Sequence, residues 1–338
     1  MSEYASLEIP PSSEHLWRYT PWKRIHPTSV DDIPESEDIR FSLGEKVDLV
    51  TDKNEIARAF ISELNSSTTH LIIGEGHYDL DARAAGHICS GHLHITCSSN
   101  ASLIIRLSGE PGWCGFRISG EVTKNSSLSI ALINELDSNA VLLRCEDWQV
   151  ARDSNLEFST LSLGGLRIKS DIRVELEEKG AETRGAFAIH GKGPRHDDHH
   201  VEIAHRVGHT TSSLEVHAAC DDSSHSVTTG LLTIEESANG SDAGQVFRNI
   251  LLSEKARAEA IPELEVKAHE VSAAHGAASG PIDPEQLHYL MSRGLSLDDA
   301  SSTIVEGFLL DAFKDIRSNA VVDAVRTRLL VHLGCELI

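Results

Sequence analysis

Aromatic residues are scarce in this chain: Phe, Trp and Tyr together make up 5% of its 338 residues. A core built on stacked rings is thereby excluded, and the apolar interior has to come from small and branched aliphatic side chains. Basic residues are few as well, 30 Lys and Arg against 52 Asp and Glu, for a formal charge of -22. Such a surface repels nucleic acid and anionic lipid, so DNA-binding and membrane-surface roles are disfavoured, and the charge by itself names no partner. The longest apolar runs, such as Leu128 to Ile133 and Ala140 to Leu143, fall far short of the roughly 20 residues that cross a bilayer.

Six cysteines (Cys89, Cys97, Cys114, Cys145, Cys220 and Cys335) occur without a CxxC pair or a disulfide-framework spacing, and no charged-then-apolar leader opens the chain. The expectation is a reduced, cytoplasmic protein. Nucleotide chemistry is missing too. Gly74-Glu75-Gly76-His77 and Gly191-Lys192-Gly193-Pro194 lack the GxxxxGK(S/T) order and a following helix, so both read as turns. The chain is therefore not expected to bind nucleotide, and any ATP hydrolysis belongs to another protein. Nor is there a GxSxG elbow or a Cys/His pair spaced for nucleophilic catalysis.

What is present is a long series of short strands. The first 65 residues mix proline, serine and charge, and Asn54 to Leu64 places Ile56, Ala57, Phe60, Ile61 and Leu64 on one helical face. From His70 to about Val271, runs of four to seven residues rich in Ile, Leu, Val and Thr alternate with Gly, Asn, Asp and Ser. HLHITCS, ASLIIRLSG, LSIALINEL, SVTTGLLTIEE and LEVKAHEV are examples. Two architectures fit such a series, a closed sandwich or barrel and a solenoid of stacked rungs. The small and β-branched strand residues suit the narrow, layered interior of a parallel β-helix. After Gly280-Pro281-Ile282-Asp283 the pattern turns helical: Asp283 caps, Pro284 suits the first turn, and Ser296 with Asp299 forms a second, capping-box-like start. Val321 to Leu333 carries a third apolar face, and this helical unit is expected to cap the open end of the solenoid and present a docking surface. The expected division is residues 1–65, a partly helical lead-in; 66–280, the β core; and 281–338, a helical domain.

Two places could carry chemistry. The group His196, Asp197, Asp198, His199, His200, His205 and His209 is dense enough to suggest a metal-dependent hydrolase or lyase. Strand alternation, however, puts His199, Val201, Ile203 and His205 on one face and His200, Glu202, Ala204 and Arg206 on the other, so neither face gathers three adjacent ligands. Polar ladders along a solenoid are the plainer reading. The second place is His275, alone between two alanines and Gly276, at the last strand before the helices. Neutral imidazole is a good ligand for iron and other borderline metals.

The stretch from Gln245 to Phe308 carries a resemblance. Asn249, Leu251, Leu252 and Ser253 precede Pro262-Glu263-Leu264-Glu265-Val266. Then come His275-Gly276-Ala277, Asp283 with Gln286, Leu287, Tyr289 and Leu290, Ser292-Arg293-Gly294, and Gly307-Phe308. In wording and order these pieces closely resemble the C-terminal signature of the SufB/SufD family, the scaffold subunits of the Suf iron-sulfur cluster assembly system. Trp17-Arg18-Tyr19-Thr20 is similar to its N-terminal element, and Asp198, His199, His205 and Ser213 echo its polar rungs. The resemblance implies a right-handed parallel β-helix, mainly β, with a short helical N-terminal segment and a C-terminal helical domain. It also implies a non-catalytic scaffold. The SufB branch would place a cysteine near Phe247 and a glutamate at Gly276, so the chain looks SufD-like; Ala273-Ala274 replaces a frequent Cys-Ser before the histidine. By this resemblance His275 contributes to holding a nascent iron-sulfur cluster, with the remaining ligands from another subunit. The implied partners are a SufB-like subunit or a second copy of the chain, and a SufC-like ABC ATPase docked on the C-terminal helices through Tyr289, Leu290, Arg293, Phe308 and Phe313.

Overall fold

A computed structural model describes residues 4–49, 55–65 and 67–334. From Thr68 to Pro281 successive strands alternate between two sheets, so each pair of strands makes one turn of a parallel β-solenoid of about eight turns. Among the described residues one sheet has ten strands and ends at Arg257–Val266; the other has nine and ends at Ser272–Pro281. Pairing along the spine is parallel and in register: Val141–Val150, for example, lies between Trp113–Val122 and Arg167–Leu176. Only short N-terminal strands, Arg40–Phe41 and Glu45–Val47, pair antiparallel, at the start of the spine.

One corner of each turn is set by backbone handedness. Asn125 (φ 58), Asp153 (φ 52), Gly180 (φ 78), His209 (φ 61) and Gly240 (φ 77) recur once per turn where the chain leaves the first sheet for the second. Glycine reaches this left-handed region without a Cβ penalty, and Asn, Asp and His are the other types enriched there. The corners stack on one another, the Gly180 amide donating to the His209 carbonyl and the His209 amide to that of Asn239.

The interior between the sheets is narrow and apolar, with Leu103, Phe116, Ile130, Trp148, Phe158, Phe187 and Phe247 among its buried members. Each sheet also buries residues on its outer face. The first is covered by the N-terminal segment and helix α2 (Ile56–Leu64), which packs Phe60 and Ile61 with Trp17, Trp22 and Trp113. Helix α1 (Trp22–Ile25) supplies Trp22 and Ile25 to the same cluster. The apolar face expected of α2 is present, with Ile56, Ala57, Phe60 and Ile61 buried and Glu55 accepting from the Ala57 and Arg58 amides at its start.

The second sheet is covered by the C-terminal helices, and here the expectation of an end cap is corrected. Helix α3 (Pro284–Ser292), capped by Asp283, packs on α4 (Leu297–Asp311), capped by Ser296. Helix α4 lies against Glu182–Gly191 and Thr211–Cys220, and α5 (Asn319–Leu333) continues back over Asn100–Gly109, Ser127–Leu136 and Asn155–Ser162. The helices run along the flank of the spine because small and branched outward residues there (Ile104, Ala131, Ile133, Leu161, Ala186, Ala188) offer an apolar bed for Val305, Leu309, Phe313, Val321, Val325 and Leu329. Ion pairs fix the edges, Lys314 to Glu215 at 3.4 Å and Arg317 to Glu182 at 3.2 Å. No helix among the described residues is long and apolar enough to cross a membrane.

Candidate functional site

Since the helices flank the spine, the strands Arg257–Val266 and Ser272–Pro281 each end their sheet, with a neighbour on one side only among the described residues. A ten-residue strand with one unpaired edge presents a row of backbone donors and acceptors, the standing template for another chain. Pro262 sits within the first of these, consistent with the confinement of proline to edge strands. The interior is open at this end as well. Ala258, Ala260, Leu264 and Ala273 pack only partly against the core.

His275 stands on that last strand. Its register partner is Gln245, and Ala273 and Ala277 register with Ala243 and Phe247, both members of the interior core. By strand alternation His275 therefore faces the mouth of the solenoid, and it is exposed. Beside it lies a recess of about 250 Å³ lined in part by Leu214, Glu215, Gln245 and Gly276. Gln245 crosses the interior, its Nε2 donating to the Glu263 carbonyl on the opposite final strand at 2.8 Å. Asn249 donates to Ser279 Oγ at 2.9 Å one position pair further along. Among the described residues no group of three or more His, Cys, Asp or Glu could hold a metal ion, so His275 has no ligand set within its own chain there.

The histidine-rich strand His196–His205 is a set of closed hydrogen-bonded pairs. His199 and His205 face inward with Val201 and Ile203, and His200 and Glu202 face outward, as alternation requires. His199 Nδ1 lies 2.6 Å from Ser170 Oγ, His200 Nδ1 2.8 Å from Thr229 Oγ1, and the two ring nitrogens of His205 2.7 and 2.8 Å from Thr210 and Ser212. Burial lowers the pKa of His200 and of His205 to about 4, which keeps both neutral. Burial would raise the Asp197 carboxyl, but Arg195 and His199 hold it well below the usual carboxylate range. Asp198 pairs with Lys169 at 3.0 Å, and His209 sits at a corner with positive φ. These contacts leave no converging ligands, and the hydrolase or lyase alternative finds no centre here.

The expected docking residues fall into two groups. Tyr289 is 57% exposed, with the Arg293 guanidinium 5.1 Å from its ring centre, and Leu290 is half-buried beside a groove of about 420 Å³ that Gln286 and Ile304 also line. Helix α3 buries none of its residues. Phe313, by contrast, is 2% exposed and packs inside the helix-to-sheet core. Phe308 is half-buried, its ring stacked on His217 at 4.7 Å while its carbonyl accepts from His217 Nδ1. Helical spacing alone cannot separate a face turned to the sheet from one turned to solvent, which is why the aromatic pair was grouped with the exposed residues. Gln245, which spans the mouth beneath His275, was not singled out from sequence; its only signal was its position one turn before the histidine.

Comparison with known proteins agrees with this geometry. The family model for the SufBD core domain of the SUF iron-sulfur cluster assembly system matches residues 81–308, more than half of the chain. An iron-sulfur cluster assembly SufBD family protein of Mycobacterium leprae is 24% identical over 368 residues, covering 98% of this chain and 91% of that protein. The SufD protein of Escherichia coli is 23% identical over 325 residues, covering 88% and 76% respectively. The SufD protein of Bacillus subtilis is 28% identical over 204 residues, covering 60% and 47%.

Proposed function

The chain belongs to the SufB/SufD family, and we propose that it serves as a SufD-type, non-catalytic scaffold on which iron-sulfur clusters are assembled. The observation that carries this reading is the open terminal rung: two final strands with a free edge, and an exposed His275 facing the mouth they enclose. The cluster is cargo. His275 supplies one imidazole ligand, and the remaining ligands come from the polypeptide that completes the rung, a SufB-like subunit or a second copy of the chain.

Edge pairing accounts for how that polypeptide is held, because the unpaired backbone groups of both last strands gain partners on association. The flanking helices account for a second contact. Tyr289, Leu290 and Arg293 on α3 lie outside the helix-to-sheet core, and they form the docking surface for a SufC-like ABC ATPase. Because α3 follows the His275 strand after only two residues, a pull on the helix is transmitted directly to the rung. Movement of the ATPase thus strains the mouth and exposes the ligand.

Isolation of the protein from its own cells tests this. A SufB-like subunit and a SufC-like ATPase are expected to be recovered with it in stoichiometric amounts; recovery of the chain with neither would overturn the reading.

A further inference from the structure

The interior of the last full turns contains polar atoms that no described residue satisfies. Ser226 Oγ and Thr228 Oγ1, on the strand His225–Ile234, and Gln245 Oε1, on Asp242–Leu251, are each buried without a hydrogen-bond partner. All three residues are 1% exposed. They face one another. Leu232 and Ile234 belong to the interior core, so by alternation Ser226, Thr228 and Gly230 point inward from one sheet, and Gln245 points inward from the other between Ala243 and Phe247. Gln245 Oε1 reaches across the interior to the opposite strand, where it would lie 2.4 Å from a Cβ placed on Gly230. The absence of that Cβ leaves room where these groups meet.

An unpaired buried hydroxyl or amide oxygen costs about 1–3 kcal/mol, and three in one compartment are not tolerated without partners. The neighbouring rungs do not provide them. Towards the mouth, Ser226 and Thr228 register with Ala258 and Ala260, which carry no polar atom. Away from it they register with Asp197 and His199, which are engaged with Arg195 and Ser170.

We propose that the solenoid interior binds ordered water between Ser226, Thr228 and Gln245, in a polar pocket one rung beneath His275. Each water has the two or more polar partners such a site requires. The pocket continues a polar file. Asp197 and His199 lie 3.4 Å apart on one side, Thr228 occupies the next ladder position from His199, and Gln245 occupies the ladder position next to His275. The mouth histidine is thus solvated from within the spine as well as from outside, whatever polypeptide completes the rung, and the inference does not rest on the proposed scaffold role.

The test combines a structure with a near-isosteric substitution. A crystal structure of the full chain at a resolution that orders internal solvent is expected to show water within hydrogen-bond distance of both Thr228 Oγ1 and Gln245 Oε1; an interior without such density overturns the proposal. Thr228→Val removes one partner of the bound water without changing side-chain volume. A lowered Tm, with the water displaced or lost, supports a hydrated pocket. An unchanged or raised Tm marks a dry, unsatisfied hydroxyl and overturns it. Ser226→Ala, read the same way, guards against an effect peculiar to valine.

Discussion

His275 occupies the ladder position next to Gln245, and the two inward-facing residues differ in what lies beyond them: Gln245 is 1% exposed, whereas His275, with no further strand on its side among the described residues, is open to solvent. The same position in the repeat is core in one turn and surface in the next. An exposed imidazole of this kind contributes little to stability, so His275→Ala is expected to change unfolding free energy by no more than about 0.5 kcal/mol. In the reconstituted complex the variant is expected to assemble with its partners and fail to form cluster, as read by iron and sulfide content. Normal cluster yield would remove His275 from the mechanism.

The C-terminal helices make a second contrast measurable. Phe313 is 2% exposed within the helix-to-sheet core, and Tyr289 is 57% exposed on α3. Phe313→Ala is expected to cost about 3–5 kcal/mol through lost burial and the cavity left behind. Tyr289→Ala forfeits only its contact with Arg293, about 1 kcal/mol or less at an exposed site. If α3 docks the ATPase, the Tyr289 variant, stable as it is, should lose affinity for it in a pull-down. Equal affinity for both forms of α3 would move the docking surface elsewhere.

Lys169 and Asp198 form an ion pair on the outer face of the first sheet, 3.0 Å apart and 2% and 1% exposed, with the Trp17 ring over the ammonium at 5.7 Å. Trp17 belongs to the N-terminal segment, so the pair is sealed by chain more than a hundred residues distant in sequence. Removing one partner of a buried pair leaves an uncompensated charge, and Lys169→Met is expected to destabilise by about 3–5 kcal/mol. Replacing both, as in Lys169→Met with Asp198→Leu, should recover most of that loss. Chemical denaturation of the single and double variants decides it: additive losses would show that the two residues act independently.

The β-solenoid was legible where strands put branched aliphatic residues into the core, as in Ser127–Leu136 and His225–Ile234. Gly76–Ala84, Glu182–Gly191 and Ser272–Pro281 were not, because alanine, glycine and charge occupy most of their positions and their strand state depends on the neighbouring rungs. LEVKAHEV is a related case: its strand begins earlier, at Arg257, and ends at Val266, and the following residues turn the corner. The two Gly-rich segments at 74–77 and 191–194 fall at junctions between strands, as their sequences indicated. Helix starts at Pro284 and Leu297 were readable from local caps. Their destination was not, since the apolar bed of Ala131, Ala186 and Ala188 is assembled from strands that are remote in sequence.

Buried histidines give the fold a pH dependence whose sign can be worked out. His205 is 0% exposed, and burial lowers its pKa from 6.5 to about 4. In the unfolded chain the ring protonates as pH falls through 6.5; in the folded chain it stays neutral down to about 4. Between those values the unfolded state binds more protons, so stability is fully present above pH 6.5 and is lost progressively as pH falls towards about 4, by up to about 3 kcal/mol for this one group. His200, also lowered to about 4 by burial, acts in the same direction. Carboxylates titrate at the lower end of that range, so the slope of the native protein alone does not isolate the histidine. The difference between native protein and His205→Gln does. The variant, which is expected to be less stable at neutral pH because it gives up contacts to Thr210 and Ser212, should lose less stability than the native protein on acidification from pH 6.5 to 4. Parallel curves of unfolding free energy against pH would show that His205 does not titrate as its burial requires.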